Sequence, residues 1–181
     1  MHERKQKYFA YHFMVKVTHD DLNGVGLLDP LIHRLFTRLF ANNLLNNTVL
    51  VFFSDHGMRF GSIRETLSGK YEDRLPAMHI YLPSHLRTHN MTVNEHRLTT
   101  HFDIHATLKH ILEGKPNNTL KYGKTLLEEI PVTRSCQSIP ILEHFCSCQS
   151  SQVITDLKSV EVMSKFIVKQ LNQLLYSTKN S

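Results

Sequence analysis

Ser54-Asp55-His56-Gly57 stands directly behind the most apolar stretch of the chain, Thr48-Val-Leu-Val-Phe-Phe53. A strand ending there delivers a carboxylate and an imidazole side by side, and Gly57 lets the backbone turn sharply. Carboxylate oxygen with imidazole nitrogen is a borderline ligand set, better suited to zinc or manganese than to calcium. The same residues also read as a plain turn, with Asp55 as its cap and His56 incidental. A second polar cluster, Thr18-His19-Asp20-Asp21, follows another apolar segment. The plain reading of His19 there is a solvated loop histidine, and Asp20 and Asp21 suit a helix approach or a turn. The chain holds 13 histidines. Most read as surface or partly buried side chains, so the informative ones are those that the backbone brings to a strand end.

The elements that must position these clusters follow from periodicity. Phe9, Tyr11, Phe13, Val15 and Val17 are apolar at every second position, which predicts a strand over 8–17. Asp29-Pro30 predicts a helix start, with Asp as N-cap and Pro at the first helical position. Residues 48–53 read as a strand covered on both faces, as in a parallel sheet. Strand, helix and strand make one βαβ unit, so the expected class is α/β. Ligands then bind beyond the carboxyl ends of the strands, where both polar clusters fall. Met78–Leu82 reads as a short strand stopped by Pro83, and 84–99 as mostly loop. Residues 102–113 read as a helix, with a Thr100/Asp103 capping box before it and Gly114 at its end. Three regions are expected: a main domain over 1–130, a Cys-containing loop over 131–150, and an amphipathic helix over 151–181.

Composition excludes several classes. Lys and Arg exceed Asp and Glu by 21 to 16, a dispersed net charge of +5. With no basic–aromatic interleaving, nothing points to nucleic acid. No apolar run approaches the ~20 residues that span a bilayer. Cys136, Cys146 and Cys148 cluster in one polar stretch, which suits a stapled loop in an oxidising compartment, their pairing being open. Asn46, Asn90 and Asn117 each head a glycosylation sequon. Together these predict a secreted or lumenal protein. No signal peptide is evident near the basic Met1–Lys7 segment, so the expectation is a chain that lacks its natural beginning.

Val51-Phe-Phe-Ser-Asp-His-Gly57 resembles the metal-binding strand end of the alkaline phosphatase/sulfatase superfamily. Lys70–Pro83, Thr99–Leu108 and Gly123–Leu127 resemble later elements of the same superfamily. A closer similarity is to a sulfatase-related animal family of unassigned activity, domain of unknown function 229. It is carried by Thr18–Asn23, Ser54–Gly61, Leu98–His105 and Arg134-Ser-Cys136 with Cys146-Ser-Cys148, in that order.

The resemblance implies the C-terminal part of an alkaline-phosphatase-like sheet flanked by helices, followed by the Cys-bearing loop and the terminal helix. It implies Asp55 and His56 as ligands of a divalent metal, and His19 as a contact to an anionic phosphate or sulfate ester, with His101 a further candidate there. In the superfamily the nucleophile and the first metal-binding Asp precede all these motifs, and no Cys-x-Pro-x-Arg or Ser-x-Pro-x-Arg string occurs here. The expectation is a hydrolase or transferase fragment without turnover of its own. The alternative is a non-catalytic extracellular binding module on the same scaffold. A partial sheet also predicts self-association through its exposed edge.

Overall fold

The computed structural model describes residues 6–148 and 154–179, with side chains through residue 176. Residues 1–5 of the basic segment, 149–153 where the expected Cys-containing loop meets the expected terminal helix, and 180–181 lie outside them. The chain divides into two compact units, the first reaching to Ser147 and the second beginning at Cys148.

In the first unit, α1 (Lys16–His19) and α2 (Gly24–Ala41) precede strand β1 (Leu50–Phe53). Then come α3 (Leu67–Arg74), β2 (Met78–Tyr81), α4 (His89–Asn94) and α5 (His101–Glu113). The strands pair antiparallel, with Leu50 opposite Tyr81 and Phe53 opposite Met78. Alternation along β1 sends neighbouring rings to opposite faces. Phe52 meets Phe36 of α2 edge-on at 5.7 Å, and Phe40 of α2 meets Tyr81 at 5.1 Å. Phe53 lies 6.0 Å from the His101 ring at the start of α5. One face of the small sheet thus meets α2, and Phe53 on the other meets the first residue of α5. Each such aromatic contact contributes about 0.5–1.5 kcal/mol beyond area burial.

Four local expectations are corrected, the first being a loop over most of 84–99, where Ser84–Leu86 and α4 are helical. Residues 8–15 form no strand, and Phe9, Tyr11 and Phe13 are exposed. Alternation supplies a face, but a strand also needs a hydrogen-bonded neighbour, and what ties this segment to the β1 approach is a side-chain contact, Tyr8 Oη to Thr48 Oγ1 at 3.3 Å. β1 is antiparallel to β2 and only half-buried, so the parallel, doubly covered strand is not what forms. Each strand has one neighbour, leaving an outer edge without a strand partner among the described residues. Pro30 lies inside α2 and does not open it. The half-buried stripe Leu28, Ile32, Phe36 and Leu39 carries the helix through the donor lost at the proline.

α5 forms as its sequence dictates. Thr100 and Asp103 make the capping box, and Gly114 ends the helix at φ 72°. Asp103, Ile104, Ala106 and Thr107 form its buried stripe, Leu126 N donates to Thr107 Oγ1 at 2.8 Å, and Leu126, Ile130, Cys136 and Ile139 are buried as well. Buried Asn94 ties α4 to this layer. Its Nδ2 donates to the carbonyls of Leu126 and Glu128, both at 2.9 Å, and its Oδ1 accepts from Ile130 N at 2.8 Å.

Cys136 and Cys146 form a disulfide across ten positions, leaving Cys148 as a free, exposed thiol. Both bridged residues are buried. A loop of that length stabilises by about 2–3 kcal/mol through the unfolded chain. The Cys136→Ser/Cys146→Ser chain is expected to lose that amount in urea unfolding of the full chain. An unchanged midpoint and slope would remove the bridge from the stability of this unit.

The second unit holds α6 (Leu157–Lys179). Asp156 precedes it as a cap, accepting hydrogen bonds from Lys158 N and the Ser159 hydroxyl. The Ser159 hydrogen bond holds the exposed Asp156 carboxyl below the usual carboxylate range.

Candidate functional site

The site begins where β1 stops. Ser54 extends the strand pairing, its N–H donating to Ala77 O and its Oγ accepting from Ala77 N, both at 3.0 Å. Past that clamp the chain leaves the sheet. Asp55 Oδ1 accepts from the His56 N–H at 2.9 Å, a local bond that orients the carboxylate. His56 Nδ1 lies 2.7 Å from Gly57 O. A carbonyl can only accept, so Nδ1 carries the proton and the neutral ring keeps its lone pair on Nε2. That Nε2 lies 3.5 Å from Asp55 Oδ2.

Those two atoms are the ones a cation would use. Two ligands on a tetrahedral ion at bonds of about 2.0–2.1 Å stand about 3.3 Å apart. Anchoring the other ring nitrogen on a backbone carbonyl is the usual way a metal-binding histidine is oriented. The side chains are 59% and 34% exposed, so a cation could approach from solvent. Among the described residues, no third His, Cys, Asp or Glu offers a ligand atom within 4.8 Å of both. The pair fits a divalent ion as one edge of its coordination shell and does not enclose it.

The backbone after His56 is held down tightly. A Cβ at Gly57 would lie 1.7 Å from Glu72 O in α3, so the loop touches that helix backbone to backbone. Asp73 in α3, its side chain 3% exposed, anchors the far side. Its Oδ2 accepts from Arg64 Nη2 at 3.3 Å, while Arg59 Nε lies 3.6 Å from Oδ1. Arg64 Nη1 also donates to Arg59 O at 3.2 Å. The loop carrying Asp55 and His56 is thus bracketed by the strand clamp and by two guanidinium groups on one buried carboxylate. Sequence reasoning missed Arg59, Arg64 and Asp73 as a unit, because separations of five and nine residues carry no helical or strand period.

Both candidate substrate contacts reach this loop or its root. The His19 ring lies 5.9 Å from Phe60, and its Nδ1 bonds Asp20 Oδ1 at 2.6 Å. Asp20 thereby aims the imidazole, a role beyond the turn residue expected of it. His101 Nε2 lies 2.9 Å from Ser54 O, so this nitrogen donates to the backbone one residue before Asp55. His101 therefore braces the strand end, and only its Nδ1 is left for any other contact.

Two residues beyond His101 in α5 is a buried carboxylate with five hydrogen bonds. Asp103 is 0% exposed, and Arg134 meets it with two parallel bonds of 2.9 Å. The same carboxylate accepts from Thr100 N at 2.7 Å, Lys124 N at 2.8 Å and Thr100 Oγ1 at 3.2 Å. Arg134 also donates to Tyr122 O and Leu98 O. Leu98–His105 and Arg134-Ser-Cys136 are therefore parts of one buried junction that seats α5 below the strand end.

The three sequons differ in setting. Asn46 is exposed on the turn before β1. Asn117 accepts from Thr119 N at 3.0 Å and from its hydroxyl at 2.7 Å, which leaves the side-chain nitrogen turned away from that bond. Asn90 is half-buried in α4, and its nitrogen already donates to Leu127 O at 3.1 Å.

A family model described as a protein of unknown function (DUF229) matches residues 1–181. No curated protein and no solved structure matches the chain.

Proposed function

The chain belongs to the DUF229 family, and from that premise we propose that it supplies part of the metal centre of a phosphate- or sulfate-ester hydrolase or transferase. The observation that carries this reading is the Asp55 Oδ2–His56 Nε2 pair, 3.5 Å apart, with the imidazole fixed through Gly57 O. A divalent ion there, zinc or manganese by the chemistry of its donors, would offset negative charge on an ester oxygen. His19, held by Asp20 beside Phe60, contacts the anionic group, and His101 contributes by holding Ser54 in place. Two ligands and no residue assigned as nucleophile make a site without turnover of its own. The buried disulfide and the exposed Asn46 sequon support an oxidising, secretory setting.

Manganese binding to the purified full chain, read by electron paramagnetic resonance, tests the pair. One ion per chain is expected, and Asp55→Ala and His56→Ala should each weaken it at least tenfold with unchanged far-ultraviolet spectra. Aryl phosphates and aryl sulfates should show no metal-dependent hydrolysis. Equal affinity in both variants would sink the ligand assignment. Turnover abolished by Asp55→Ala would show that the chain is a complete enzyme.

A further inference from the structure

The second unit, taken by itself, has an amphipathic helix that the proposed centre does not use. At 100° per residue, Leu157, Val160, Met163, Ile167, Val168 and Leu171 of α6 fall within about 140° of arc. All are exposed, from 37% at Val160 to 78% at Leu157. Lys158, Lys165 and Lys169 gather within about 40° on the other side, next to exposed Val162, Phe166 and Tyr176. Glu161 is the one acidic residue of α6, and it already meets Lys165 at 2.6 Å. The helix therefore combines a broad apolar arc with a net positive charge, four lysines against one glutamate.

A second copy is the competing occupant, and the pattern argues against it. Leu157, Val160, Ser164, Ile167 and Leu171 would form the seam at alternating four- and three-residue spacing. Ser164 interrupts it and donates to Val160 O at 2.8 Å. Met163 and Val168 flank the seam where a two-stranded coil carries its pairing charges. The apolar face is wider than a seam, and the flanks offer no complementary ion pairs. A soluble polyanion would answer to the lysines but not to the apolar arc. No helix among the described residues is long and apolar enough to cross a membrane.

We infer that α6 lies in the interface of an anionic bilayer, with its apolar arc among the acyl chains and its lysines toward the headgroups. Each such lysine strengthens binding about fivefold, so three give on the order of a hundredfold. The test is flotation of the full chain with vesicles of phosphatidylcholine, with and without about 30% phosphatidylserine. Binding is expected to be about a hundredfold tighter to the anionic vesicles, and to weaken steeply in high salt. Lys158→Glu/Lys165→Glu/Lys169→Glu should abolish the preference. Val160→Asn/Ile167→Asn/Leu171→Asn should abolish binding to either vesicle, with the urea midpoint of the first unit unchanged. Equal binding to both vesicles, or full binding by the apolar-face variant, overturns the inference. So does a two-copy species in sedimentation that dissolves in the apolar-face variant while vesicles capture nothing.

Discussion

Replacing Arg134 with methionine is expected to lower the unfolding free energy of the first unit by about 3–5 kcal/mol. The size follows from what is left behind. Asp103 is fully buried, and two of its five hydrogen bonds come from this guanidinium. The other three come from Thr100 N, Thr100 Oγ1 and Lys124 N, which are neutral and cannot balance a carboxylate out of water. The carbonyls of Leu98 and Tyr122 lose a donor in the same substitution. Arg134→Lys should fall between, since an ammonium lacks the planar fork that meets both carboxylate oxygens. Urea unfolding of the full chain reads these differences. Asp103→Asn combined with Arg134→Met should cost less than the two singles added, by about 0.5–3 kcal/mol. A loss below about 0.5 kcal/mol for Arg134→Met would mean that the junction does not hold α5.

Gly57→Ala is expected to cost about 2–3 kcal/mol and to weaken manganese binding together with stability. The added carbon would stand 1.7 Å from Glu72 O, and the obstacle is helix backbone, which cannot rotate away. The loop must lift from α3, drawing Arg59 and Arg64 off Asp73 and moving Asp55 and His56 with it. Gly26→Ala is the matched control. Its added carbon meets nothing within 4 Å inside α2, so it should stabilise by about 0.5–1 kcal/mol. If Gly57→Ala unfolds and binds manganese like the parent, the close approach has no part in shaping the site.

What the sequence revealed divides along local and distant causes. α5 was legible because its start and stop are written within a few residues, in Thr100, Asp103 and Gly114. β1 and β2 were legible from short apolar runs, to within two residues. The failures share a physical reason. Residues 8–15 alternate like a strand, yet alternation does not supply a hydrogen-bonding neighbour. Asp29-Pro30 looks like a helix start, yet the stripe from Leu28 to Leu39 overrides it. α3 passed unseen in a polar stretch, although Thr66, whose hydroxyl accepts from Gly69 N at 3.0 Å, is a cap that could have disclosed it. At the site, Asp55 and His56 were visible because they adjoin a strand. The Arg59–Arg64–Asp73 bracket and the Arg134 partner of Asp103 were not, since nothing within one turn of either carboxylate announces its partner. Cysteine pairing was likewise open until backbone geometry brought Cys136 to Cys146.

The salt link between α5 and Arg134 joins residues 31 positions apart, and this orders events during synthesis. A growing polypeptide that has released α5 still carries a carboxylate with no cationic counterpart. Stable docking of that helix is therefore expected only once Arg134 has left the ribosome. A message cut short before that codon would yield a product whose α5 has nothing to neutralise its centre. Such a product is expected to be cleared by quality control before it could accumulate.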